Sequence, residues 1–91
     1  MKRDDLVGWL DNYLNIHFYE DASLNGLQVE GAEEVAKVAF AVDSSLSTLE
    51  QAAETGADML IVHHGLFWGK PLAITGMHKD RVKYLLENNI S

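Results

Sequence analysis

The chain has 91 residues, 47% of them hydrophobic, which is enough for one small domain with a real but limited core and too few for a cleft walled by several domains. Seven Lys and Arg against fourteen Asp and Glu give a formal charge of −7, so the average field repels polyphosphates and no nucleic-acid partner is expected. The absence of cysteine excludes disulfides, thiolate metal sites and thiol nucleophiles, and fits a cytoplasmic protein.

The first ten residues carry Asp4 and Asp5 where a signal peptide needs an apolar core, so neither a leader nor a membrane span is expected. From Asp4 to Asn15, Leu6, Trp9, Leu10, Tyr13 and Leu14 recur at helical spacing behind two acidic residues in the first turn. An amphipathic helix that packs by this face is predicted. The stretch from Ile16 to Ala36 is polar and broken by glycine, with Asn25-Gly26 as a strong turn signal. Leu27-Gln28-Val29-Glu30 reads either as a short edge strand or as a compact loop. Asn25 and Gln28, polar groups set among apolar ones, are either site-lining residues or ordinary turn and strand-face positions.

Val38-Ala39-Phe40-Ala41-Val42 is a continuous apolar run of the kind found in strands covered on both faces. A helix from Leu46 to Thr55 follows, with Leu46, Leu49, Ala52 and Ala53 on one face, a capping-box spacing at Ser47 and Glu50, and Gly56 as its stop. A second apolar run, Met59-Leu60-Ile61-Val62, then completes a strand–helix–strand crossover. The expected fold is α/β, with a parallel or mixed sheet and flanking helices. Beyond a loop at 69–76, a helix from about His78 to Asn88 buries Val82, Leu85 and Leu86, and Ile90-Ser91 reads as the first step into a further strand.

The second run ends in His63-His64-Gly65. Ligand-contacting groups of open parallel sheets sit just past the carboxyl ends of the strands, and Asp43 closes the neighbouring run, so Asp43 and His63 are expected side by side. Neutral imidazole is a common metal ligand. Successive residues of a regular strand point to opposite faces, so His63 and His64 reach one ion only if the backbone turns between them, whereas two ions remove the difficulty. His17 and His78 have no carboxylate at ligand spacing and read as surface or capping histidines. Nucleophile schemes fare worse, because Ser44 and Ser45 are placed as helix caps and there is neither a nucleophile elbow nor a phosphate loop.

Three segments together go further: Leu24-Asn25-Gly26-Leu27-Gln28-Val29-Glu30-Gly31; Ala57-Asp58 leading into Ile61-Val62-His63-His64-Gly65-Leu66-Phe67-Trp68; and Gly76-Met77 with Arg81 and Leu85-Leu86. In order and spacing they resemble the N-terminal part of the Nif-three-like family, dinuclear-metal proteins known as GTP cyclohydrolase I type 2 homologues. The resemblance runs from Leu6 to Ile90 and makes residues 1–91 a single partial domain of a larger family fold. It implies two divalent ions (zinc, manganese, iron or magnesium) and a hexameric ring whose metal sites face an internal cavity. His63 and His64 match the paired histidines, one imidazole serving each ion. Asn25 and Gln28 match the N-G-L-Q segment near the site, and Asp43 stands behind the ligands.

Members of the family are longer, and they add an Asp from the strand after the position of Ile90 and a C-terminal His-x-x-x-Glu pair. Neither is in this chain, which is therefore expected to be an N-terminal fragment or a natural truncation that holds metal weakly and has no activity alone. For the parent protein a metal-dependent, cyclohydrolase-like hydrolase of a small-molecule substrate is expected. The alternative is a ring-forming metal-binding or interaction protein without turnover. Leu24, Leu27, Phe67, Trp68, Leu72 and Ile74 are expected to be exposed or covered by another copy of the chain.

Overall fold

Asp4 and Asp5 open helix α1, Arg3–Leu14, which ends where Asn15 adopts the left-handed conformation and its N–H reaches back to the carbonyls of Asp11 and Asn12. The structure is a computed structural model that describes residues 1–20 and 22–91; Asp21, part of the polar stretch after α1, lies outside them. The apolar stripe of α1 behaves differently from expectation. Leu6 and Leu10 are half-buried, but Trp9 is 56% and Tyr13 69% exposed, and these two stack on each other with ring centroids 5.0 Å apart. The buried residue of α1 is Arg3, whose guanidinium meets Asp4, Glu30 and the carbonyl of Gly31. Periodicity alone does not distinguish a covered stripe from an open one.

Residues 27–30 form no strand, so the compact-loop reading holds, and Gly26 turns at φ +101° as the Asn25-Gly26 pair requires. Strands β1, Val38–Ala41, and β2, Met59–Val62, pair in parallel with Val38 opposite Met59 and Ala41 opposite Val62. Between them runs α2, Leu46–Glu54, followed by Gly56 at φ +77°. The cap is Ser45, one of the two serines placed as caps, and not the Ser47–Glu50 box: Ser45 Oγ accepts from the Thr48 N–H. Helix α3 spans Gly76–Glu87 and starts two residues earlier than predicted. It buries Leu85 and half-buries Val82, while Leu86 is exposed, contrary to expectation.

The core lies where α2 and α3 meet the sheet. Leu49, Leu66, Leu85 and Ile90 form its centre, with Val29, Leu60, Phe67 and Val82 packed around them. Beyond Ile90, the Ser91 N–H donates to Asp58 O and the Leu60 N–H to Ser91 O, the bonding pattern of a parallel neighbour at the second edge of β2. The sheet of the described residues is nevertheless two-stranded, and β2 has one full strand beside it. Of the residues expected on the surface, Leu24, Trp68, Leu72 and Ile74 are exposed, whereas Leu27 and Phe67 are half-buried. Among the described residues no helix is long and apolar enough to cross a membrane.

Asp58 ties the entry of β2 to that of β1, since one carboxylate oxygen accepts the N–H groups of Ala36 and Lys37 at 2.9 and 3.0 Å. The bond from Ala36, then that from Lys37, holds this carboxyl below the usual carboxylate range. A folded-state pKa below the unfolded one stabilises the fold above the unfolded pKa, and that stability is lost as pH falls through the folded value. Asp58→Ala is therefore expected to be less stable than wild type at pH 7 and to lose less on acidification below about pH 4, as read from denaturation midpoints across pH.

Candidate metal centre

Past Val62 the chain keeps one more bond to the residue that follows β1: the His64 N–H donates to Val42 O at 2.8 Å. The Ser44 hydroxyl then donates to His64 O at 3.0 Å, so the exit of β1 holds the His64 backbone on both its N–H and its carbonyl. Here the strand alternation ends. The rings of His63 and His64 lie with centroids 4.5 Å apart at 57°, close together rather than on opposite faces, and both residues are exposed. Trp68 lies against His64 at a centroid distance of 5.7 Å.

Asp43 stands at the exit of β1 as expected, but its carboxylate serves α2. Its Oδ1 accepts from Thr48 Oγ1 at 2.7 Å and from the Ser45 N–H at 3.1 Å. The Thr48 bond, followed by those from Ser45, holds this carboxyl below its ordinary range, and the charge of His64 adds the smallest contribution.

Gln28 sits inside the turn. Its Oε1 accepts the Leu66 N–H at 2.7 Å, and its Nε2 donates to Leu24 O. Asn25 is exposed and, with His63, lines a cleft of about 230 Å³ walled by Val7, Leu10 and Leu14 of α1 and by Ile61 of β2. The sequence thus brings Asn25, Gln28, Asp43, His63 and His64 to one end of the sheet, with Gln28 and Asp43 occupied in supporting the backbone.

His17 is exposed in the 3-10 turn Ile16–Phe18. His78 is not the surface or capping residue expected. It is 9% exposed, meets the ring of Phe67 edge-on at 4.7 Å, and has no hydrogen-bond partner on either nitrogen among the described residues. The available signal was its place one turn before Val82 and two before Leu85, on the buried face of α3.

Imidazole suits zinc or iron, and two neighbouring rings can form part of a donor set. Among the described residues, however, no group of three or more His, Asp or Glu could hold an ion. A catalytic site takes three protein ligands and keeps a position open, so the described residues alone do not make one.

Two parallel strands joined through a helix, with two adjacent histidines just past the end of the second, define an α/β chain. The family model Duf34/NIF3 (NGG1p interacting factor 3) matches residues 1–91, and the chain belongs to that family. It is 55% identical over 89 residues to the GTP cyclohydrolase 1 type 2 homolog of Deinococcus radiodurans, covering 98% of this chain and 34% of that protein. Against the protein of the same name from Archaeoglobus fulgidus it is 52% identical over 91 residues, all of this chain and 37% of the other. The crystal structure of TTHA1606 from Thermus thermophilus superposes with a TM-score of 0.94 at 54% identity, over 99% of this chain and 38% of that one. The chain spans a little over a third of the length of these relatives.

Proposed function

We propose that residues 1–91 are the histidine-bearing part of a dinuclear metal centre, in a protein that is a metal-dependent, cyclohydrolase-like hydrolase of a small molecule. The observation that carries this reading is the 4.5 Å approach of the His63 and His64 rings at the open carboxyl end of β2. The GTP cyclohydrolase 1 type 2 homolog names of the relatives supply the reaction class. Two divalent ions (zinc, manganese, iron or magnesium) supply an activated water and a polarised carbon or C=N group when bound. The remaining ligands come from outside these 91 residues, the compartment is the cytoplasm, and the assembly is a hexameric ring.

A second reading, a ring-forming metal-binding or interaction protein without turnover, is favoured by the open apolar surface of this chain. Trp9, Tyr13, Phe18, Tyr19 and Leu24 are all more than half exposed, which suits burial against further protein.

The two readings separate in a protein of the relatives' length that carries this segment. Ring opening of GTP, followed by purine absorbance, is expected with the metal-loaded form and is expected to fall about a hundredfold or more in His63→Ala and His64→Ala. An intact, metal-loaded assembly that turns over no nucleotide would select the second reading. The 91-residue chain alone is expected to be inactive.

A further inference from the structure

We propose that Gln28 is the positioning residue of the histidine pair: its amide clamps the turn after β2 to the 23–28 loop, and this clamp is why position 65 is glycine. The proposal rests on the reading of His63 and His64 as the metal-facing groups. An amide side chain carries a donor and an acceptor on separate atoms, and Gln28 uses both ends, giving Nε2–H to Leu24 O and taking the Leu66 N–H on Oε1. Leu66 is buried in the core, and losing Oε1 leaves its N–H without the partner it has here.

Glycine at 65 follows from this contact and not from backbone strain, because Gly65 is not among the residues with positive φ. A Cβ there would lie 2.5 Å from Gln28 Oε1, 2.7 Å from Nε2 and 2.8 Å from Cδ, all atoms of the one amide. The same two segments are joined by main-chain contacts as well: the Leu24 N–H donates to Phe67 O, and Ser23 bridges Trp68. Gln28 is thus the side-chain pin of a unit that carries Asn25 on one limb and His63 and His64 on the other, and it fixes where Asn25 stands relative to His63 along the cleft they share.

The test is solution NMR of the 91-residue chain without added metal, so that the result stands even if the chain binds no ion. In Gln28→Met, which keeps the length of the side chain and loses both bonds, exchange of the Leu66 amide is expected to quicken on the order of tenfold to a hundredfold. The imidazole signals of His63 and His64 should shift and their ring-to-ring cross-peak weaken, while the methyl signals of Leu85 and Ile90 stay in place. Gln28→Glu, a milder change that keeps an acceptor for Leu66, is expected to leave that amide protected and to keep the fold. Gly65→Ala should reproduce the Gln28→Ala spectrum at the two histidines, and the double variant should be no more perturbed than Gln28→Ala alone, since the added methyl then finds room. Imidazole signals unmoved in Gln28→Met, or full additivity of Gly65→Ala with Gln28→Ala, would overturn the proposal.

Discussion

Leu66→Ala is expected to cost about 2–5 kcal/mol of folding free energy, a large share of the roughly 5–15 kcal/mol that holds a small domain together. Leu66 is 4% exposed and packs with Leu49, Leu85 and Ile90, so truncating it opens a cavity between α2 and α3 that the surrounding helices close only in part. The residue is also the anchor of the turn that begins at His63. Its N–H is held by Gln28, and its side chain fixes the depth at which the turn leaves the sheet. Substituting the exposed histidines is a different matter, since surface positions away from caps and buried networks usually change stability by less than about 0.5 kcal/mol. Urea denaturation of Leu66→Ala beside His63→Ala should therefore show a large loss in the first and little in the second. A loss below about 1 kcal/mol in Leu66→Ala would mean that the histidine turn is not anchored through the core.

The parts of this fold that could be read from the chain are those fixed by local pattern. Two continuous apolar runs flank a helix with a serine start and a glycine stop, and β1, α2 and β2 lie within a residue of those marks. His63, His64 and Asp43 follow from that alignment, because a parallel crossover brings the carboxyl ends of its strands together. What pattern could not supply was long-range. Which of Ser45 and Ser47 caps α2 depends on how β1 leads into the helix. That Gln28 reaches Leu66, 38 positions away, depends on the loop folding back over the turn. Arg3 is buried because Glu30 and the Gly31 carbonyl converge on it, a contact across 27 or 28 residues that helical periodicity ignores. The same periodicity marks the stripe of α1 as apolar but is silent on what covers it, and Trp9 and Tyr13 stack on each other while staying more than half exposed. The strand alternation that would separate His63 from His64 stops for a local reason. The strand ends at Val62, and Ser44 and Val42 hold the His64 backbone as it bends away.

On the reading proposed above, His63 and His64 are the imidazole part of a metal centre whose carboxylates are not among the described residues. Carboxylates supply the negative charge that offsets the cost of desolvating a dication, and no grouping of three ligands exists among the described residues. A four-ligand structural zinc site gives roughly 10–16 kcal/mol, so two imidazoles should give on the order of half, a dissociation constant between about 1 μM and 0.2 mM. Calorimetric titration of the 91-residue chain with zinc tests this directly. Weak binding in that range is expected, lost in His63→Ala and His64→Ala while both variants stay folded; tight uptake of two ions per chain, or binding that survives removal of both imidazoles, would overturn the reading.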